Sequence, residues 1–106
     1  MSRKTRPRAE LPPHDEGVIL RFTDAVWLED GLGEKTRQAY RSDLERLAVW
    51  LQDQPGKPLL TEVRRTDLLA WISRGLADGL KTSTAARRLS GLRRFYRYLL
   101  REGAIS

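Results

Sequence analysis

Apolar residues recur at three- and four-residue intervals along most of this chain, and nowhere do they alternate as in a half-buried strand. The spacing predicts four helices. The first runs from about Glu16 to Glu29, carries a stripe of Val18, Phe22 and Val26, and stops at "DGLG", whose glycines suit a helix end and turn. A second helix runs from about Glu34 to Asp53 and is stopped by "QPGKP"; its inward residues are Tyr40, Leu44, Leu47 and Leu51. The third starts at Thr66 as N-cap, followed by Asp67, and ends near Gly75 to Gly79. The fourth begins after a Thr82–Ser83 capping region and ends at Gly103. Its apolar half holds Leu89, Leu92, Phe95, Tyr96, Leu99 and Leu100. The fold class is therefore all-α, in one small domain.

Two faces do not follow from a simple core stripe. On the first helix, Leu20 and Trp27 lie opposite Val18, Phe22 and Val26, seven residues apart, so that face needs a cover. Burial under the fourth helix or the 55–65 connection is the structural expectation, and contact with another domain or protomer the functional one. On the fourth helix, Arg87, Arg94 and Arg101 recur every seven residues opposite the apolar half, flanked by Ser90 and Arg97.

Charge sharpens the second observation. The net charge is +6 over 106 residues. Split along the chain it is +4 over residues 1–9, −4 over 10–80 and +6 over 81–102. The segment "KTSTAARRLSGLRRFYRYLLR", residues 81–101, holds seven basic side chains and no acidic one. A polyanion partner is the physical reason to concentrate cations in this way, because neutralised phosphates release counterions; a merely solvated basic face is the plainer alternative. The second helix repeats the design more weakly, with Lys35, Gln38 and Ser42 outward and Arg41 and Arg46 beside them. Residues 1–15, rich in Arg, Lys and Pro, read as a disordered basic arm ending at Pro12–Pro13, with the folded domain at 16–106.

Several chemistries are excluded. There is no cysteine for a disulfide or thiolate site, and the single histidine, His14, has no second imidazole for a zinc site. No apolar run reaches the roughly 20 residues of a membrane span, and there is no signal-peptide pattern, so a cytoplasmic protein without membrane contact is expected. The carboxylates are dispersed with no pocket signature, Tyr40 and Tyr96 fall on apolar faces as core residues, and Tyr98 lies off that face as a surface residue. No cofactor is expected.

The string "WLEDGLGEKTRQAYRSDLERLAVWL", residues 27–51, followed by "TSTAARRLSGLRRFYRYLLREG", residues 82–103, resembles the N-terminal core-binding domain of tyrosine site-specific recombinases, nearest to the Xer group and its XerD-type members. The patterns "WLE-x-GL-x-x-x-T-x-x-AY-x-x-DL" and "S-A-x-R-x-LS-x-LR-x-FY-x-YL-x-RE" carry the resemblance, which covers about residues 17–103. Gly33 departs from it, standing where the family commonly has a serine that caps the second helix.

The resemblance implies a SAM-like bundle of two crossed helix pairs, forming half of a clamp on double-stranded DNA with its second and fourth helices toward the major groove. The family's groove-facing positions fall here on Thr36, Gln38, Ala39 and Ser42, and on Ser83, Thr84 and Arg87. Lys35, Arg41, Arg88 and Arg94 join them as cationic candidates. Helix N-termini favour phosphate, so Lys35, Thr36, Ser83 and Thr84 are expected on the backbone. Arg87 and Gln38 are expected on base edges, and Arg94, Arg97 and Arg101 in non-specific attraction. The family breaks and rejoins DNA through a tyrosine, two arginines, a lysine and histidines of a separate C-terminal domain. That domain and its "H-x-x-R" box have no counterpart in this sequence, so no catalytic residue is expected in this chain. For the parent protein the resemblance implies chromosome dimer resolution together with a paralogous recombinase and a DNA-translocating ATPase. The same domain of a phage- or integron-type integrase is an alternative, as is, in another class, a helical protein-interaction domain with a basic face.

Overall fold

A computed structural model describes residues 10–106 and contains four helices: α1 Pro13–Asp30, α2 Glu34–Leu51, α3 Arg65–Ala77 and α4 Thr82–Arg101. There is no strand among the described residues. The helices form two pairs, α1 with α2 and α3 with α4, joined through contacts of α2 with α4.

Three helix starts differ from the expected ones. α1 begins at Pro13 rather than Glu16, because proline at the first helical position has its φ preset and lacks an N–H that would go unpaired there anyway. The arm expected over residues 1–15 therefore loses its last three residues to α1, and residues 1–9 lie outside the described residues. α3 is capped at Arg64 rather than Thr66: the Asp67 carboxylate reaches back to accept the Arg64 backbone N–H at 2.9 Å, which fixes the first turn two residues earlier. α4 follows Lys81 as N-cap, so Thr82 and Ser83 lie inside its first turn instead of capping it. α1 ends as expected at Gly31, whose φ of 64° is the left-handed conformation glycine adopts without strain.

The core is built largely from the predicted stripes, joined by Ile19, Leu60 of the α2–α3 connection, and Trp71 and Ile72 of α3. Phe22, Phe95, Ile19, Leu47, Leu51, Leu60 and Leu99 are fully buried, and Phe22 meets Phe95 edge to face with ring centroids 5.1 Å apart. Gly91 lets α4 approach α2 closely, since a Cβ there would stand 3.1 Å from Tyr40 Cδ1. Tyr98 departs from its expected surface position. Its ring packs 5.6 Å from Phe22, and burial, its largest perturbation, raises its hydroxyl above the ordinary tyrosine range. Leu100, counted on the apolar half of α4, is exposed because it sits at the edge of that half, in the last turn.

The face of Leu20 and Trp27 is the clearest correction. Neither the fourth helix nor the 55–65 connection buries it: Leu20 is 38% and Trp27 51% exposed. The cover is a cation. The Arg37 guanidinium of α2 sits 4.7 Å from the centre of the Trp27 ring, and Arg37 also bonds Glu34 and lies 3.5 Å from Asp24.

One backbone residue anchors the long connection between α2 and α3. The Leu60 N–H donates to Asp15 Oδ1 at 3.0 Å, and the Leu60 carbonyl accepts from the Tyr96 hydroxyl at 2.8 Å, so α1 and α4 grip the connection from both sides. Asp15 is completely buried and its Oδ2 has no partner among the described residues. Burial is the largest influence on this carboxyl and raises its pKa above the ordinary 3.8, against the lowering effects of the Leu60 N–H and His14; Glu62 raises it further. Burial likewise pushes the Tyr96 hydroxyl above the ordinary range, so it stays a donor at neutral pH.

The fold therefore favours protonated Asp15, and that advantage is complete below the unfolded-state pKa and is lost as pH rises through the folded one. Asp15→Asn cannot titrate. In thermal melts, the stability of the wild type relative to Asp15→Asn should be greatest near pH 4 and decline as the pH is raised; a constant offset between pH 4 and 7 would contradict this. At pH 7, Phe22→Ala should cost about 3–5 kcal/mol, whereas Trp27→Ala, at an exposed cation–π contact, should cost about 1 kcal/mol or less. Equal losses in denaturant titrations would place Trp27 in the core.

Candidate nucleic-acid interface

The surface shared by α2 and α4 is organised by a residue that the charge pattern passes over. Asp43 is buried at the junction of the two helices. Its Oδ2 accepts from Arg87 Nε at 3.1 Å, and its Oδ1 from Arg87 Nη2 at 2.9 Å and Arg88 Nε at 3.3 Å. The Arg88 guanidinium in turn lies 5.0 Å from the centre of the Trp71 ring, which ties α3 into the same cluster. The hydrogen bond to Asp43 is the largest influence on Arg87 and raises its pKa, so the guanidinium is charged at every accessible pH. The sequence does carry a signal for Asp43. It stands at i+3 from Tyr40, next to Leu44, so a carboxylate falls on the inward stripe of α2, where only a paired charge is tolerable.

The heptad of arginines on α4 is matched by carboxylates from other helices. Arg87 pairs with Asp43, Arg94 with Asp30, and Arg101 with Glu29 at 3.0 Å. Arg101 also lies over the Tyr98 ring. Arg94 and Arg101 border an open groove of about 520 Å³ between the end of α1 and α4, lined also by Tyr40, Ser90, Arg93 and Arg97. Among the described residues, Lys35, Arg46, Lys81, Arg93 and Arg97 of this region form no ion pair.

The other candidates fall into two groups. At the start of α2, Lys35 and Thr36 are exposed, Gln38 donates to Glu34 Oε2 at 3.0 Å, and Ala39 is half-buried. One turn on, Arg41 pairs with Glu45 at 3.1 Å, and half-buried Ser42 lines a second groove with Leu11, Arg46 and Trp50. Glu34, lowered in pKa chiefly by Arg37, places a negative charge in the first turn of α2, which weakens that end as a phosphate seat. The start of α4 has the opposite character. Its first turn contains no acidic residue, Lys81 precedes it, Ser83 is exposed and Thr84 half-buried. The first backbone bond there is from Ala85 to the Lys81 carbonyl, so the N–H groups of Thr82, Ser83 and Thr84 have no helical acceptor.

Asp43 thus brings Arg87 and Arg88 of α4 against α2 beside Ser42. Arg88 has 14% of its side chain exposed and is held by Asp43 and Trp71, so it is mainly a strut; Arg87, 46% exposed, points a free edge outward. Arg41 and Arg94 are engaged with Glu45 and Asp30.

Comparison with known proteins identifies the family. The model of the family described as phage integrase, N-terminal SAM-like domain, matches residues 19–103. The tyrosine recombinase XerD of Pseudomonas aeruginosa is 47% identical over 90 residues, covering 84% of this chain and 29% of that protein. The tyrosine recombinase XerD of Proteus mirabilis is 46% identical over 99 residues, 92% of this chain and 31% of its own length. The chain spans about a third of the length of the curated relatives it matches. No solved structure gives a match. With four helices in the expected order and a family match over nearly all of them, the chain belongs to the phage integrase N-terminal SAM-like domain family.

Proposed function

We propose that this chain binds duplex DNA as the core-binding domain of a XerD-like tyrosine recombinase. The observation that carries the reading is the start of α4, whose free N–H groups and Lys81 lead directly into the Arg87 that Asp43 holds. α4 opens with free N–H groups, hydroxyls and Lys81 and no carboxylate, whereas α2 opens with Glu34 before Lys35 and Thr36 and is the weaker phosphate seat. Free N–H groups and hydroxyls suit phosphate oxygens, and Arg87 and Gln38, one turn further in, suit base edges. Ala39 and Ser42 offer small side chains where the DNA approaches α2, and Arg93 and Arg97 supply unpaired charge further along α4.

The match to relatives named tyrosine recombinase XerD favours the Xer reading over a phage- or integron-type integrase. In the parent, strand breakage and rejoining belong to a separate catalytic domain. The present chain supplies DNA grip without a catalytic residue, within residues 16–106 plus the start of α1. The parent acts in the cytoplasm in chromosome dimer resolution at cell division, beside a paralogous Xer recombinase and under a DNA-translocating ATPase. No described helix is long and apolar enough to cross a membrane.

Phosphate contacts release counterions, so duplex binding measured between 50 and 200 mM salt should give a log–log slope of roughly −3.5 to −5.5, for about four to six phosphates at ~0.9 each. A slope near zero would instead favour a helical protein-interaction domain. Glu29→Gln combined with Asp30→Asn removes the carboxylates from Arg101 and Arg94, and the double variant should elute from a heparin column at higher salt than the wild type. Unchanged elution would mean that this arginine groove lies out of reach of a polyanion.

A further inference from the structure

Arg87 meets Asp43 along one edge only. Its Nε and one Nη2 hydrogen fill the side-on edge of the guanidinium, leaving the Nη1 hydrogens and the outer Nη2 hydrogen as a second, end-on edge. The carboxylate that holds Arg87 is itself fixed, because its Oδ1 also accepts from Arg88 Nε, and Arg88 is braced by Trp71. A long, flexible side chain is thus set in one orientation before any ligand arrives, which removes most of the ordering cost of docking it.

From this geometry we propose that Asp43 is a positioning residue that presents the end-on edge of Arg87 to paired acceptors on duplex DNA, the O6 and N7 of a guanine. The inference rests on the DNA-binding reading. Two phosphate oxygens offer a similar acceptor pair, and the charge balance decides between them. Asp43 cancels one of the two positive charges of Arg87 and Arg88, which weakens attraction to a phosphate. It leaves the directional donors that a guanine edge needs. Phosphates have a better seat one turn earlier, at the free N–H groups of Thr82 to Thr84.

The test is selection of the 106-residue chain on a duplex library with a randomised stretch, at low salt. The wild type should enrich a guanine at one position. Arg87→Ala and Asp43→Asn should both lose that enrichment, while Asp43→Asn keeps its overall retention on random DNA. Arg87→Lys, which preserves the charge and an ion pair with Asp43, should keep the salt slope and the melting temperature but lose the guanine preference. With the wild-type chain and the selected duplex, 7-deazaguanine at the enriched position should weaken binding roughly 5- to 100-fold, since it removes one of the two acceptors. A folded Asp43→Asn that still selects guanine would overturn the positioning role. Insensitivity of the wild type to 7-deazaguanine, or the lack of any enriched guanine, would overturn the base contact and leave a phosphate contact. A wild type that fails to bind any duplex, or binds without salt dependence, would instead remove the DNA-binding reading on which the inference rests.

Discussion

The Asp43 carboxylate, buried between α2 and α4, takes three N–H donors from two guanidinium groups, and the relative position of the two helices with the most polar outer faces depends on it. A buried ion pair of this kind contributes little net stability compared with well-packed apolar residues, because desolvation offsets most of the Coulombic gain. Removing one partner is another matter: it leaves an uncompensated charge and costs about 3–5 kcal/mol. Such a cluster fixes geometry rather than adding stability. What it fixes is Arg87, along with the register of the first turns of α4 against the middle of α2. The apolar core of Phe22, Phe95, Leu47 and Leu99 supplies the adhesion, and the carboxylate supplies the alignment.

The same logic extends along α4. A helix with seven basic side chains in and just before it would repel itself and its neighbours, yet four of its arginines meet carboxylates from α1 and α2. The segment refuses negative charge because the carboxylates that answer it come from elsewhere in the chain. Asp30 and Glu29, at the end of α1, take the far half of the stripe, so its free charge is smaller than the sequence suggests. Among the described residues the unpaired cations of this region are Lys35 and Lys81 at the two helix starts, Arg46 further along α2, and Arg93 and Arg97 on α4, and the free N–H groups at the start of α4 add a positive field without a side chain. The domain therefore concentrates its available positive potential rather than spreading it over a whole helix.

Much of this was legible from periodicity. The four helices, their order and most of the core follow from i, i+3, i+4 spacing, since that pattern and helical burial are two descriptions of one geometry. Three features were not legible, for separate reasons. The start of α1 shifted because a proline suits the first helical position, that of α3 because a carboxylate reaching back outranked the Thr66 signal, and α4 starts at Thr82 after Lys81 with no side-chain cap. Trp27 was expected under a helix and instead lies beneath Arg37, because a flat apolar ring can be covered by a cation as well as by a core. Asp43 stands on the inward stripe of α2, but its partner, Arg87, 44 residues on, is known only from the fold; Asp15 fell in the expected arm, and its partner is the Leu60 N–H, 45 residues on. The candidate residues on α2 and α4 were reachable in sequence through the family resemblance; the pairing that ranks them was not.

The central claim is that the start of α4 and the outer face of α2, held together by Asp43, form the DNA-facing surface. Backbone amide shifts of the labelled chain, followed by NMR during titration with a short duplex, test it residue by residue. The account predicts perturbations concentrated at Lys35–Ser42 and Thr82–Arg88, including the unbonded N–H groups of the first turn of α4. Shifts confined to the exposed Leu20, Trp27 and Leu28 side of α1 or the Leu69 and Leu76 side of α3, with α2 and α4 unmoved, would contradict it.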